Sequence, residues 1–173
     1  MMQSNQDDPM IEHCNIRDAV AADLPRLHEI RMAAYEPVYR SFRAIVGEAI
    51  APIAFKNAEA EQGAYLDGMF GEAAAHEVLV AERAGEVVAF CAVRFDHESK
   101  LGEVNLNAVH PDHQNKGVGA WMYEAALDRL RARGMEAATV GTGGDPSHAA
   151  ARRAYEKAGF GPALPSVYYY RML

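Results

Sequence analysis

The sequence is poor in cysteine, since Cys14 and Cys91 are the only two in 173 residues and lie 77 positions apart. Neither has a second cysteine nearby, so a CxxC site and a disulfide framework are both excluded. Isolated thiols of this kind are typical of a reducing compartment, and a cytoplasmic location is predicted. Cys91 lies in an apolar run and is interpreted as a small core residue.

Long apolar runs are also missing. No stretch approaches the roughly 20 consecutive apolar residues that a membrane-spanning helix needs. Residues 1–10 lack the basic and apolar regions of a signal peptide, and they are predicted to form a disordered tail. The sequence therefore predicts no membrane partner. Residues 11–173 have the length of one domain, and no linker-like segment divides them.

Basic residues are too few for a nucleic-acid-binding surface. The chain has 17 Lys and Arg against 24 Asp and Glu, a net charge of -7. Because non-specific binding depends on Lys and Arg neutralising phosphates, no nucleic-acid partner is predicted. Potential metal ligands cluster only in the turn that contains His110, Asp112 and His113, without an evident further ligand. No metal site is predicted.

Strand and helix signals alternate along the rest of the chain. The predicted order is a strand from about Ile11, two helical segments, three strands, a helix, a buried strand, a helix and a closing strand at residues 166–173. Pro37 is predicted to end the first helix, and a hairpin is predicted to turn at Ala84 and Gly85. The third strand is predicted to place Val104, Leu106 and Ala108 on one face. The whole pattern indicates one mixed α/β layer.

Two glycines stand where the third strand gives way to an alanine-rich helix. Gly117 and Gly119 would let unpaired N–H groups at a helix N-terminus approach an anion closely. Asn115 and Lys116 supply further donors. A simple tight turn would also explain the glycines, whereas a dinucleotide fingerprint is disfavoured because Met122 replaces its third glycine. The segment is interpreted as a phosphate or pyrophosphate site.

Two motifs resemble those of the GCN5-related N-acetyltransferase (GNAT) superfamily. The segment 114–119, QNKGVG, is similar to its Q/R-x-x-G-x-G/A acyl-CoA signature. The segment 148–160, HAAARRAYEKAGF, is similar to its N-x-x-A-x-x-x-Y-E-K-x-G-F helix. The resemblance covers nearly the whole chain from about Ile11. It implies the GNAT fold, an α/β (α+β) arrangement with a mostly antiparallel central sheet flanked by helices.

The resemblance also implies an activity. The chain is expected to transfer the acetyl group of acetyl-CoA to a primary amine, by direct attack in a ternary complex. A small-molecule amine is the predicted acceptor, and a protein N-terminus or lysine is the alternative. A non-catalytic acyl-CoA-binding module and, more remotely, a nucleotide-binding protein are alternatives of other classes. Dimers are common in the superfamily, so a homodimer is among the expected states.

Cofactor-binding roles follow residue by residue from the resemblance. The backbone of Asn107, Ala108 and Val109 would bind the pantetheine arm and thioester. His148 stands where the superfamily has an asparagine that contacts the cofactor arm. The turn expected to wrap the pyrophosphate consists of Gln114, Asn115, Lys116, Gly117, Val118, Gly119 and Ala120.

Three catalytic roles are expected. The Val109 N–H would face the thioester carbonyl and stabilise the oxyanion. Tyr155 matches the tyrosine of the second motif and would protonate the leaving thiolate, although a tyrosine here could also be a packing residue. Glu103 is the candidate general base, with a solvated strand-edge carboxylate as the alternative. The acceptor would be selected within residues 31–75.

Overall fold

The computed structural model describes residues 14–71 and 74–173 of the chain. The described residues form a five-stranded sheet in the order β1-β2-β3-β4-β5, in which β5 is parallel to β4 and the other neighbours are antiparallel. The predicted fold class is confirmed. The strands are β1 Cys14–Asp18, β2 His76–Arg83, β3 Glu86–Asp96, β4 Leu101–Val109 and β5 Ala137–Val140. The helices are α1 Leu24–Val46, α2 Ala51–Ala54, α3 Ala58–Gly68, α4 Val118–Ala132 and α5 Ala149–Lys157.

Two apolar layers sandwich the sheet. Leu27 and Ile30 of α1 and Leu66 of α3 are fully buried on one face. Met122 of α4 and Tyr155 of α5 are buried on the other face. Burial of such side chains stabilises each helix on the sheet by about 1.5–3 kcal/mol per residue. The predicted tail at residues 1–10 and the predicted strand start at Ile11 lie outside the described residues.

The hairpin between β2 and β3 turns as predicted. Ala84 and Gly85 have φ angles of 52° and 81°, both in the left-handed region. A two-residue turn with positive φ at both positions matches the twist of the strands it joins. The prediction is therefore confirmed.

Helix α1 passes through Pro37 and continues to Val46, so the predicted end at Pro37 is wrong. A proline inside a helix removes the hydrogen bond to the carbonyl four residues earlier, here that of Ala33. Ala33 and Pro37 both line the cleft described below. The second half of the helix is held by tertiary contacts, because Tyr39 is buried and Ser41 Oγ donates to Asp145 Oδ2 at 2.8 Å.

A β-bulge in β4 contradicts the prediction that Val104, Leu106 and Ala108 lie on one face of the strand. Cys91 pairs with Asn107 but Val93 pairs with Val104, so one extra residue is inserted in β4. A one-residue insertion sends the following side chains to the opposite face. Val104 therefore packs on the α4 side, whereas Leu106 and Ala108 pack on the α1 side.

The C-terminal segment does not form the predicted closing strand. Residues 160–173 have no regular secondary structure, and the side chains of Tyr168 and Tyr169 are 84% and 92% exposed. Strand propensity expresses packing on a sheet surface, which these aromatic residues lack. Strand β5 thus pairs only with β4 among the described residues. It alternates between exposed and half-buried positions and is not the buried strand that was predicted.

Candidate active site

A cleft opens where β4 and β5 separate. The parallel pairing ends at Val104 and Val140, whereas β4 continues to Val109. The resulting gap has a volume of about 430 Å³ and is bordered by α1, the end of β4, the turn before α4, and α5. It brings together residues from four separate parts of the chain, including Asn107, Val109 and Tyr155.

The end of β4 directs alternate backbone groups into this cleft. The His110 N–H donates to Val88 O at 2.9 Å, which fixes the pairing with β3. Because hydrogen-bonded pairs alternate along an antiparallel ladder, Asn107 and Val109 direct their N–H and C=O groups away from β3. The Asn107 carbonyl accepts a hydrogen bond from the Tyr35 hydroxyl at 3.1 Å, on the cleft side. The Val109 N–H faces the same opening.

A cluster of tyrosines surrounds the Asn107 side chain. Asn107 Nδ2 donates to the Tyr155 hydroxyl at 3.2 Å, and the Tyr123 hydroxyl donates to Asn107 Oδ1 at 3.0 Å. The Tyr123 and Tyr155 rings lie 5.0 Å apart. Burial raises the pKa of Tyr155, although hydrogen bonds with Asn107 and Tyr123 oppose the shift. The Tyr155 hydroxyl therefore keeps its proton at pH 7.

Tyr123 also belongs to this cluster, although it is not among the site residues predicted from the sequence. It lies on the sheet-facing side of α4, one residue after the buried Met122, and both are buried. Burial also raises the pKa of Tyr123 well above that of free tyrosine. The helical spacing could have placed it on the inward stripe, but only the fold shows that its hydroxyl reaches Asn107.

The turn before α4 has the backbone geometry of an anion site. Asn115 and Gly117 adopt left-handed conformations with φ angles of 58° and 80°. Helix α4 begins at Val118 without a side-chain cap, so the N–H groups of its first turn lack intrahelical partners. Two polar side chains hold the turn itself: Gln114 Nε2 donates to Val109 O at 3.0 Å, and Lys116 Nζ donates to Asp112 O at 2.7 Å.

Gly119 leaves space in the cleft rather than in the protein interior. A Cβ built at this position would lie 3.8 Å from Val109 Cγ2 and 4.0 Å from Tyr123 Cε2, which are ordinary contacts. The fold would therefore accept a methyl group there. Because Gly119 lines the cleft, its missing side chain gives a bound molecule access to the helix N-terminus.

His148 lines the cleft next to the first turn of α5 and forms a pair with Asp145. Its Nδ1 lies 2.5 Å from Asp145 Oδ1. Burial acts to raise the pKa of Asp145, but hydrogen bonds from Ser147, Ser41 and His148 outweigh it and hold that pKa well below its usual range. Asp145 is consequently a carboxylate at neutral pH.

Glu103 does not line the cleft. Its Oε2 accepts hydrogen bonds from Arg94 Nε at 3.0 Å and pairs with Nη2 at 2.8 Å. Its Oε1 accepts from Asn105 Nδ2 at 3.0 Å, and Asn105 is the residue that reaches the cleft wall. Glu103 is thus one side chain removed from the cleft, and its role as general base stays a prediction.

Neither a metal group nor a membrane span is found in the part of the chain that the structure describes. His110 Nδ1 accepts from the backbone N–H of Asp112 at 3.3 Å, as expected of a polar turn. No cluster of three or more His, Cys, Asp or Glu side chains could hold an ion there. No described helix is both long and apolar enough to cross a membrane.

Residues 26–160 match the family model of the acetyltransferase (GNAT) family, a span that contains β4, the turn and α5. The chain belongs to the acetyltransferase (GNAT) family. This membership confirms the family predicted from the two motifs, and the predicted enzyme class is that of the family. The cleft with the β4 end, the α4 N-terminus and Tyr155 is accordingly the candidate active site of a GNAT protein.

Individual relatives share parts of the chain or its fold. The mycothiol acetyltransferase of Sanguibacter keddieii is 35% identical over 94 residues, which are 51% of this chain and 29% of that protein. The chain thus spans well under half of that relative. A GNAT-family protein from Desulfovibrio desulfuricans has a TM-score of 0.68 at 16% identity, with 87% of each chain covered. The aminoglycoside N-acetyltransferase AAC(6')-Iy, solved with CoA, has a TM-score of 0.62 at 14% identity, covering 93% of this chain and 96% of that one. At these identities, the two structures are evidence for the fold.

Proposed function

We propose that the chain is an acetyl-CoA-dependent N-acetyltransferase that acts on a primary amine of a small molecule. One observation carries the proposal: the Val109 N–H, the Tyr155 hydroxyl and the uncapped start of α4 open into one cleft. An oxyanion donor, a proton donor and an anion site are the three groups that transfer from an acyl-CoA thioester requires.

The residues present fit acetyl-CoA as the donor substrate. The first-turn N–H groups of α4 would bind the pyrophosphate, since a helix N-terminus favours negative charge. The outward-facing backbone of Asn107 and Val109 would bind the pantetheine arm in the place of a neighbouring strand. Gly119 would give the phosphates room to approach.

Protein groups would then act directly on the reacting atoms. The Val109 N–H would stabilise the oxyanion that forms when the amine attacks the thioester carbon. Tyr155 would donate its proton to the departing sulfur. A covalent acyl-enzyme is not favoured, because the Cys91 thiol is fully buried and burial raises its pKa to about 12.

A small acceptor is favoured over a protein by the shape of the cleft. A volume of about 430 Å³ must hold the thioester end of the donor as well as the acceptor. The names of the relatives above, a mycothiol and an aminoglycoside acetyltransferase, are consistent with small acceptors. A peptide N-terminus or a lysine remains the alternative acceptor.

The deciding experiment measures the release of free thiol from acetyl-CoA in the presence of single amines. The panel contains glucosamine, sisomicin, spermidine, free amino acids and a peptide with an N-terminal alanine. We expect turnover with a non-peptide amine and CoA binding by calorimetry. CoA binding without turnover of any amine would indicate the non-catalytic module. Absence of both would refute the proposal, and tighter binding of ATP or NAD than of CoA would indicate a nucleotide-binding protein.

Three further predictions belong with this function and have their own measurements. Residues 11–173 are predicted to form one domain, which should unfold in a single calorimetric transition. A homodimer, one of the expected states, would have twice the 18.9 kDa chain mass in light scattering. The cytoplasmic location can be measured by cell fractionation.

A further inference from the structure

The proposed reaction needs a group that takes a proton from the acceptor. A primary alkyl amine has a pKa near 10.4 and must lose one proton before it can attack, and the neutral amine must lose a second proton as it becomes an amide. Among the described residues that line the cleft, His148 is the one histidine, and histidine is the commonest general base in enzymes. No described Asp, Glu or Lys lines it.

The pairing with Asp145 determines which nitrogen of His148 can accept a proton. A carboxylate only accepts hydrogen bonds, so the contact of 2.5 Å requires the proton to lie on His148 Nδ1. Neutral His148 then carries its lone pair on Nε2. That nitrogen has no partner among the described residues. The arrangement is that of a base oriented by a carboxylate, as in hydrolase triads.

Contacts from α1 fix the pair in place. The ring of Phe42 stacks on the His148 ring with centroids 5.6 Å apart and 24° between planes. Ser41 Oγ donates to Asp145 Oδ2, as described above. Asp145 is the charged group in contact with His148, and Arg152 Nη1 holds the adjoining backbone by donating to the Gly143 and Asp145 carbonyls. The side chains of His148 and Asp145 are only 15% and 10% exposed.

Gly143 makes room for the pair. A Cβ at this position would lie 2.5 Å from His148 Nδ1 and 2.6 Å from Asp145 Oδ1, closer than real contacts allow. The neighbouring Gly144 has open space around its position. Neither glycine has a positive φ angle, so the requirement at 143 is steric.

His148 and the proposed acid Tyr155 lie on one face of the same helical segment. Tyr155 follows His148 by seven residues, which is two helical turns or about 10 Å along the axis. Tyrosine side chains in helices lean toward the N-terminus, which brings the Tyr155 hydroxyl back toward His148. The small side chain of Ala151 lies between them and also lines the cleft. Because both residues line the cleft, an amine and a thioester bound there would lie beside the proposed base and acid.

We propose that His148 is the general base of the reaction, with Asp145 as its positioning residue. The inference rests on the proposed function. As the N–C bond forms, His148 Nε2 accepts the proton that the amine nitrogen loses. As the C–S bond breaks, Tyr155 gives its proton to the sulfur. His148 then releases its proton to solvent and Tyr155 regains one, so acetyl-CoA and a neutral amine become free CoA thiol and an amide.

The sequence predicted that His148 contacts the cofactor arm and that Glu103 is the general base, and the role proposed for His148 differs from both predictions. With Nδ1–H held by Asp145, neutral His148 has no N–H left to donate to the cofactor arm. Glu103, the predicted base, lies behind Asn105 and is paired with Arg94. The two candidate bases can therefore be separated by substitution.

The kinetic test compares His148→Gln with Glu103→Gln. Each variant is assayed with every panel amine that the wild-type chain acetylates. We expect His148→Gln to lower kcat/KM at pH 7.5 by about 100-fold, to leave the CoA dissociation constant within about twofold, and to remove the acidic limb of the pH profile. Glu103→Gln should reduce kcat/KM less than His148→Gln does, and its pH profile should keep the acidic limb. The opposite order, or an unchanged profile in His148→Gln, would overturn the inference.

The positioning role has a separate readout in the whole chain without an acceptor. In ¹⁵N-labelled protein at pH 8, the His148 ring, assigned by its loss in His148→Gln, should show the Nδ1–H tautomer. Asp145→Asn should shift the tautomer equilibrium of the His148 ring towards the Nε2–H form. A wild-type ring in the Nε2–H form would contradict the inference.

Two neighbouring glycines supply matched variants. Gly143→Ala should displace the pair, lower kcat by at least 10-fold and change the His148 resonances, whereas Gly144→Ala should do neither. Equal effects of the two substitutions would contradict the proposed role of the His148–Asp145 pair. Wild-type protein that turns over no amine refutes the proposed function itself, whereas turnover that survives His148→Gln refutes only the base.

Discussion

Replacing Tyr155 by phenylalanine removes one oxygen atom from the cleft and tests whether that hydroxyl protonates the leaving thiolate. Loss of a general acid lowers the rate by about 10²–10⁴-fold, which corresponds to about 2.7–5.4 kcal/mol in the activation barrier. The CoA dissociation constant should change little, because the proposed phosphate and pantetheine contacts come from the backbone.

The cost to stability should be much smaller than the cost to catalysis. Tyr155→Phe removes the acceptor of the hydrogen bond from Asn107 Nδ2 at 3.2 Å and the interaction of the hydroxyl with Tyr123. Asn107 Nδ2 also donates to Asn105 O at 2.8 Å, so the amide keeps a partner. The expected loss in unfolding free energy is about 0.5–1 kcal/mol.

Tyr123→Phe is the matched control, because its ring lies 5.0 Å away and its hydroxyl bonds to the same asparagine. Among the described residues, Tyr123 is the one donor to Asn107 Oδ1, so its loss leaves this half-buried acceptor without a protein partner. We expect a loss of about 1–1.5 kcal/mol in stability and a smaller effect on kcat than that of Tyr155→Phe.

The assay combines denaturant unfolding with steady-state kinetics of thiol release for both variants. We expect Tyr155→Phe to have the larger effect on kcat and Tyr123→Phe to have the larger effect on stability. A kcat for Tyr155→Phe close to wild type would make Tyr155 a packing residue. A larger kcat loss in Tyr123→Phe would transfer the acid role to Tyr123.

Three other substitutions or conditions test the packing around the cleft. Gly119→Ala should leave the unfolding free energy within about 0.5 kcal/mol of wild type but weaken CoA binding by about 10-fold in calorimetry. Gly68→Ala is the control, because its position has open space around it. Equal CoA affinities of the two variants would contradict the phosphate role of Gly119. Gly102→Ala would place a Cβ 2.5 Å from Leu130 Cδ2, and should lower the unfolding free energy by about 1–3 kcal/mol; an unchanged Tm would show that Leu130 can move aside. Burial raises the pKa of Tyr123, so its native form keeps the proton after the unfolded form has lost it. Its stabilising contribution is therefore intact below pH 10 and falls by up to about 1.4 kcal/mol per pH unit above that, and Tyr123→Phe should reduce this alkaline slope in urea titrations.

Local signals identify several of the segments that line the cleft. The turn before α4 could be predicted because glycine and asparagine are the residues that adopt positive φ, as Asn115 and Gly117 do. The hairpin could be predicted because Gly85 lies between two apolar runs, although a positive φ is uncommon for a residue such as Ala84. Tyr155 was identified by its motif, and the fold places it in the same cleft as Val109.

Other features depend on residues that are distant in sequence. Helix α1 continues past Pro37 because Ser41 bonds to Asp145, a residue 104 positions away. The bulge in β4 depends on how the strand pairs with β3, and it decides which faces Val104 and Leu106 occupy. Periodicity within one segment contains no information about either.

The amino-acid sequence is enough to predict the family, the order of most elements and the segments that border the cleft, because turns and helix starts depend on neighbouring residues. The contacts of each polar side chain follow from the folded chain alone. It buries Asp145 and His148 together beneath α1, and it pairs Glu103 with Arg94 behind the cleft wall. The choice of base therefore rests on hydrogen bonds and burial between distant segments, which a linear motif does not encode.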